Sequence, residues 1–353
     1  MAHSLVTGGA GFIGSHLVHE LIRQGHSVVV LDDLSGGSMN RVPAAATFVE
    51  GSVCDVATVD KVFADHTFDW VFHFAAFAAE VISHSVKRHN YETNVMGTIN
   101  VINASVRGNV SFFGFASSIG VYGHGQTPMI ESQEPRPCDS YGLAKLGMER
   151  ELDVTWRHQG LPFMAYRMHN VYGEFQSMRD PYRNAVAIFL NQVMRNEPIT
   201  VYGTGLQVRA FTYVRDIVPV LVRSAQTPSA WGRAVNLGAS QTYSILQLAD
   251  LVRAAMGKPD HPIVHVPARS EVAEAYTDTS LARQILGPWK DTALGDALVD
   301  IVAWARVHGP VEFQPTFELE LPEYHMPEWA QIVENRVRPS RPVPVAADAA
   351  ERA

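Results

Sequence analysis

The chain has 353 residues, 46% of them hydrophobic and 18% charged, and a net charge of −8. That length supports one large or two modest domains with a substantial core, and the acidic balance excludes the electrostatic footprint of a protein that binds nucleic acid or an anionic membrane. Two cysteines, Cys54 and Cys138, give neither a disulfide framework nor a metal-finger spacing, so a reducing, cytoplasmic setting is expected, with no signal peptide and no stretch long enough to span a bilayer.

Ser4–Thr7 is predicted as a strand, followed by a helix over Gly11–Gln24 that places Ile13, Leu17, Leu21 and Ile22 on one face. Strands are predicted at Ser27–Leu31, Thr47–Glu50 and Trp70–Phe74, then a helix around Asn94–Arg107 and a strand at Ser111–Ala116. A helix over Tyr141–His158 and a strand at Phe163–Arg167 continue the alternation. Near-continuous apolar strands alternating with amphipathic helices define an α/β chain with a doubly wound parallel sheet. After Gly173 the rhythm loosens into a helix at Ala185–Met194, short strands at Ile199–Tyr202 and Ala210–Tyr213, and helices at Ser244–Met256 and Leu294–His308.

Thr7-Gly8-Gly9-Ala10-Gly11-Phe12-Ile13-Gly14 joins the first strand to the first helix. Glycines at 8, 11 and 14 suit a tight turn, close approach of backbone to a pyrophosphate and close helix–strand packing, with the helix N-terminus offering free N–H groups to the anion. Taken alone such a turn is weak evidence, but the second strand runs into Asp32-Asp33, near the place where a carboxylate meets the adenosine ribose. A carboxylate there repels a 2′-phosphate, so NAD is expected rather than NADP, with Asp32 as ribose ligand and Asp33 either a second ligand or a solvated turn residue. Ser52 and Val53, after the third strand, fall where the adenine edge would lie. The fold expected is therefore Rossmann-type. Residues 1–173 form its dinucleotide-binding domain, to which 210–240 returns. Residues 174–310 form a smaller mixed α/β substrate domain, and 311–353 a C-terminal extension whose Pro/Ala-rich end is expected to be disordered.

Tyr141 and Lys145 stand four residues apart at the start of a predicted helix, hence on one face. The ammonium is expected to lower the phenol's pKa and prepare it as a general base. YxxxK is common by chance; its context is Ser117-Ser118-Ile119-Gly120-Val121-Tyr122-Gly123 at the carboxyl end of a strand, where ligands bind in such sheets. Ser118 is placed to hold the reacting oxygen for Tyr141, and Ser117 is read as structural.

The Gly-rich turn, Asp32-Asp33, His73-Phe-Ala-Ala76, Asn94-Val-Met-Gly-Thr98, the Ser117–Gly123 run, Tyr141–Lys145 and Arg167-Met-His-Asn-Val-Tyr-Gly173 occur in an order that resembles the extended short-chain dehydrogenase/reductases, the NAD-dependent epimerase/dehydratase family. The resemblance spans roughly residues 3 to 305, judged by motif order and sheet rhythm. It implies Ser118, Tyr141 and Lys145 as the catalytic set, with Lys145 also on the nicotinamide ribose, and Phe74, Ala75, Ala76 and Asn94 beside the cofactor. It further implies a nucleotide-sugar substrate held by Ala78, Asn170, Asn184, Val201, Gln207 and Arg209, with Arg269 as a second diphosphate-binding guanidinium. Arg suits that task, being planar and always charged. The sugar pocket would include Phe77–Glu80 and the segment Gln176–Asn184. There Arg179 and Arg183 either pair with a carboxylate on carbon 6 or form a solvated loop. Asn184 either caps the following helix or touches the diphosphate.

The residues after Ser118 bear on the reaction. The family's dehydratases and decarboxylases carry acidic residues there; Ile119-Gly120 can neither donate nor accept a side-chain proton. What remains is 4-epimerisation of an NDP-hexose, of UDP-glucose/UDP-galactose or UDP-glucuronate type, by transient oxidation at carbon 4 with NAD kept bound. The alternatives are an NDP-sugar reductase or dehydrogenase, an epimerase of the GDP-mannose 3,5 type, and a non-catalytic dinucleotide sensor. Fifteen histidines show no metal-ligand spacing, so no metal is expected. The helices around Asn94–Arg107 and Tyr141–His158 either pair with their copies in a homodimer, as the resemblance implies, or turn their apolar faces to an ordinary core.

Overall fold

The computed structural model describes residues 1–180, 183–268, 272–313 and 319–321. β1 (His3–Thr7), α1 (Phe12–Arg23), β2 (Ser27–Asp32), β3 (Thr47–Glu50), α2 (Val56–Asp65) and β4 (Trp70–His73) open the chain. A helical run follows: α3 (Lys87–Tyr91), a π-helical stretch (Glu92–Gly97) and α4 (Thr98–Arg107). Then come β5 (Phe112–Ser118), α5 (Ser140–Gln159), β6 (Phe163–Met168), β7 (Val171–Tyr172), α6 (Ala185–Met194), β8 (Ile199–Tyr202), β9 (Val208–Ala210), β10 (Thr212–Tyr213) and α7 (Val214–Ala225). β11 (Arg233–Leu237), β12 (Thr242–Ser244), α8 (Ile245–Ala255), β13 (Ile263–Val266), β14 (Glu274–Ala275), α9 (Ser280–Leu286) and α10 (Leu294–His308) complete it.

Seven strands form one parallel sheet in the order β11-β6-β5-β4-β1-β2-β3. Its register, for example Leu5 opposite Val29 and Val71, puts alternate side chains on opposite faces. Leu5, Val29, Val71, Phe113 and Phe115 face one layer with Val59, Val62, Val101, Met148 and Leu152 of α2, α4 and α5. Val6, Val30, Phe72, Phe112 and Met164 face the other with Leu17 and Leu21 of α1 and Val218 and Leu221 of α7. Each such side chain, fully buried, contributes about 1.5–3 kcal/mol, which is why the strands read as unbroken apolar runs. The second layer continues without interruption through Leu248, Val252, Leu294 and Leu298 of α8 and α10. β4 and β2 flank β1: the chain runs outward from β1 through β2 to β3, then crosses back to β4 and runs outward the other way, which opens a crevice at the carboxyl ends of β1 and β4.

Three features depart from the sequence expectations for physical reasons. The helix expected around Asn94–Arg107 contains the Glu92–Gly97 π stretch, where the Thr98 hydroxyl donates to the Asn94 carbonyl at 2.8 Å and competes with the backbone ladder. The strand expected over Ala210–Tyr213 breaks at Phe211: β9 pairs antiparallel with β12, and β10 pairs parallel with β7. α7 was masked in the sequence by Pro219 inside it, which removes an N–H donor; burial of Ile217, Val218, Val220, Leu221 and Val222 outweighs that loss.

Candidate active site

The β1–α1 turn leaves no room for side chains. A Cβ on Gly14 would lie 2.1 Å from the Gly8 carbonyl oxygen, and one on Gly8, at φ +69°, would lie 2.6 Å from the Ala75 nitrogen. Only glycine permits this approach, and the N-terminus of α1, which has no side-chain cap, borders the cleft through Gly11, Phe12, Ile13 and Gly14. β2 delivers Asp32, a buried carboxylate that accepts from Ala10 N at 2.9 Å and Leu34 N at 2.8 Å. Burial pushes its pKa up, against those two N–H groups. Asp33 accepts from the Ser35 N–H at 3.0 Å and hydroxyl at 2.6 Å, which makes it the closing residue of a turn that still borders the cleft.

β5 carries Ser118 to the end of the sheet, where its hydroxyl accepts from Gly120 N at 3.1 Å. α5 starts one residue before Tyr141 because Asp139 caps it, accepting from Gly142 N at 2.7 Å. Tyr141 and Lys145 then lie on the buried side of α5, with the Lys145 ammonium 4.9 Å from the Phe115 ring centre and 5.7 Å from that of Tyr141. Ser118 and Tyr141 are within hydrogen-bonding influence of each other.

The electrostatics correct one expectation. Lys145 does not make the Tyr141 phenol acidic: burial pushes that phenol well above its ordinary range, Glu80 and Asp139 add to the rise, and Ser118 and Arg183 only oppose it. Burial also pulls Lys145 down to about 7, with the Glu149 carboxylate holding it up. Burial is therefore the largest influence on both side chains, and it disfavours the charged form of each.

These residues line a single cleft of about 1150 Å³, room for a dinucleotide and a second ligand. Gly8, Gly11, Phe12, Ile13, Gly14, Asp32, Asp33, Ser52, Val53, Phe74, Ala75 and Ala76 border it together with Ser118, Tyr141 and Lys145. Ala78, Asn170, Asn184 and Arg209 border it as well. Asn184 makes no side-chain cap to α6, which decides against the capping alternative. Arg209 reaches the wall with its guanidinium donating to the Val208, Val272 and Ala273 carbonyls.

Three expected ligands do not reach the cleft. Asn94 is fully buried, its amide accepting from Phe77 N at 2.9 Å and donating to Phe77 O and Asn90 Oδ1, so it holds the 77–80 loop. Val201 is fully buried in the core under β8. Gln207 donates to the Tyr202 carbonyl and is not among the lining residues. Arg269 lies outside the described residues. Of the pair considered for a uronate, Arg179 is exposed away from the cleft, and Arg183 borders it already paired with Asp180. Sequence reasoning missed Arg41, Gly37, His84 and Lys87, which also line the cleft. A Cβ on Gly37 would lie 2.8 Å from Asp32 Oδ1, a constraint visible only in the folded chain.

His73, beneath the turn, bonds Thr7 Oγ1 at 2.8 Å and Thr98 Oγ1 at 2.9 Å. Burial, and then the Lys145 charge, pushes its pKa down to about 3. The unfolded chain binds a proton near 6.5 and the folded chain only near 3, so this site's contribution is complete above pH 6.5 and is lost progressively below it. The slope is at most about 1.4 kcal/mol per pH unit. Urea unfolding from pH 7 to 4 should show a shallower acid decline for His73→Asn than for the parent; equal slopes would contradict this assignment.

A doubly wound sheet whose switch-point crevice joins a glycine cradle to a Ser–Tyr–Lys wall defines a dinucleotide-dependent enzyme of the short-chain dehydrogenase/reductase type. The chain belongs to the NAD dependent epimerase/dehydratase family, matched over residues 4–238. It is 32% identical over 319 residues to the UDP-glucose 4-epimerase of Streptomyces lividans, covering 86% of this chain and 96% of that one. It is 31% identical over 318 residues to the UDP-N-acetyl-alpha-D-glucosaminuronate decarboxylase of Bacillus cytotoxicus, covering 86% and 97%. The crystal structure of UDP-glucose 4-epimerase from Thermotoga maritima with UDP-glucose superposes with a TM-score of 0.82 at 32% identity, covering 87% of this chain and 99% of that one.

Proposed function

We propose that the chain is an NDP-hexose 4-epimerase, of the UDP-glucose/UDP-galactose or UDP-glucuronate type, that keeps NAD bound through its cycle. The observation that carries this reading is the meeting of Ser118, Tyr141 and Lys145 on one wall of the cleft that the Gly8–Gly14 turn closes. The glycine cradle and the Asp32 carboxylate fit a dinucleotide's pyrophosphate and ribose, and Lys145 is the donor for the nicotinamide ribose. When bound, NAD supplies a hydride acceptor for sugar carbon 4 and a positive charge in the cleft. That charge favours the ionised phenol, which burial by itself disfavours.

Ser118 holds the reacting sugar oxygen. Tyr141 takes the proton from that oxygen and returns it after the sugar has turned. Ile119 and Gly120 border the cleft directly after Ser118 and offer no proton-transferring side chain for loss of water or carbon dioxide. The Arg183–Asp180 pair leaves that guanidinium compensated, which favours a neutral sugar over a uronate. Asn170 and Arg209 are the residues we assign to the diphosphate.

The same proposal divides the chain into a dinucleotide part, 1–173 with 210–240, a substrate part, 174–310, and an extension, 311–353. It makes the protein a cytoplasmic homodimer. Apolar Met96, Leu143 and Val154 stand exposed on the π stretch and α5, and no described helix is long and apolar enough to cross a membrane. The test is incubation with UDP-, GDP- and dTDP-sugars without added cofactor, products read by NMR. Interconversion of a pair differing only at carbon 4 is expected. Turnover only with stoichiometric reduced cofactor would favour the reductase alternative.

A further inference from the structure

α3 begins without a local cap. Val86 precedes it and makes no side-chain cap bond, although the first N–H groups of a helix have no intrahelical partner. Those donors are met from more than 230 positions away: Arg88 N and His89 N donate to the two carboxylate oxygens of Glu320 at 3.1 and 3.0 Å. The N–H groups of Glu320 and Leu321 both donate to the Ser85 carbonyl, at 2.9 and 3.1 Å. Leu319 packs on the small cluster of Phe77, Ile82 and Val86 beneath the same segment.

The pinned segment is the cleft wall beside the catalytic tyrosine. Glu80, Val81, His84 and Lys87 line the cleft, as does Leu321 itself, and the Glu80 charge acts on the Tyr141 phenol. α3 is also tied to the catalytic helix, because Asn90 Nδ2 donates to the carbonyl of Ser140, the residue before Tyr141, at 2.9 Å.

We propose that Leu319–Leu321 is a positioning strap that completes the sugar side of the cleft, with Glu320 fixing the 80–89 wall and Leu321 forming part of it. Glu320 and Leu319 touch no reacting group; they act through the wall they hold. Removing the carboxylate frees two backbone donors and lets the start of α3 open more often, while the NAD side keeps its contacts. The consequence is weaker binding of the nucleotide sugar with little change in the chemical step.

The inference rests on the proposed function only for its kinetic arm, so its test has two arms. Lys87 and Arg88 are trypsin sites within the pinned segment. In full-length protein Glu320→Ala should be cleaved there about fivefold faster than the parent, the factor expected for loss of a capping interaction, with other sites unchanged and NAD retained. Glu320→Asp, which keeps the carboxylate, should recover part of the protection. With UDP-glucose as probe, Glu320→Ala and Leu321→Ala should raise KM severalfold and leave kcat within about twofold. Unchanged cleavage at Lys87 and Arg88, acceleration spread evenly over all sites, or a fall in kcat at constant KM would each overturn the proposal. If the parent does not turn over UDP-glucose, the function reading is in question, and the proteolysis arm still decides the strap.

Discussion

Tyr141→Phe is expected to lower turnover of the nucleotide sugar about 10²–10⁴-fold, the range for loss of a positioned general acid–base, while folding and NAD retention stay as in the parent. The ring is buried against the catalytic wall and Phe preserves its packing. What disappears is the hydroxyl that bonds Ser118 on the cleft wall and to which we assign the proton transfer. Burial holds the phenol above its ordinary range, a direction that positive charge entering the cleft would oppose. The effect should therefore fall on kcat with KM little changed. Initial rates, bound-nucleotide content and a thermal melt on the same preparation separate catalysis from stability. A variant within tenfold of the parent in kcat would remove Tyr141 from the mechanism.

Glu149→Ala should be the most damaging single change to stability, about 3–5 kcal/mol, because it strands a buried guanidinium. Arg167 donates to both Glu149 oxygens, with Nη2–Oε2 at 2.7 Å and Nε–Oε1 at 3.0 Å, in a site where both side chains are almost wholly buried. Ser117 donates to the same carboxylate at 2.5 Å, and Arg167 Nη1 donates to the Tyr122 hydroxyl at 2.8 Å, which in turn donates to Asn236 Oδ1 at 2.8 Å. This network ties β5, α5, β6 and β11 together directly behind Ser118. The loss should appear as a lower urea midpoint with an unchanged slope. Replacing Glu149 and Arg167 together by methionine should cost less than Glu149→Ala alone, since no unpaired charge is left; a double variant as unstable as the single one would contradict this reading. Glu149 also supports the Lys145 charge, so activity should fall with stability.

Much of this was legible in the sequence because it is written in backbone requirements and short-range chemistry. Strands buried on both faces read as apolar runs, and glycines at 8, 11 and 14 read as a cradle because a Cβ at Gly14 meets the Gly8 carbonyl. Tyr141 and Lys145 were legible from their i, i+4 spacing, and Ser118 from its place at the end of a strand and the family resemblance; all three border the cleft. What spacing does not show depends on tertiary context. Asn94, Val201 and Gln207 hold ligand positions by motif, yet they do not border the cleft: Asn94 bonds the Phe77 loop, Val201 lies in the core and Gln207 donates to the Tyr202 carbonyl. The direction of the phenol's shift has the same origin, since spacing reports proximity to Lys145 and says nothing of how deeply the ring is buried. Glu320 has no local signal, because its partners Arg88 and His89 lie at the other end of the chain.

The claim on which the account turns is that one sugar carbon is oxidised and then reduced at the same site, with Tyr141 moving the accompanying proton. The most direct measurement is NMR of the reaction on a nucleotide sugar carrying deuterium at carbon 4. The account predicts that the epimeric product keeps the deuterium at carbon 4, with none lost to solvent. Deuterium appearing in water, or protium at carbon 4 of the product, would contradict it.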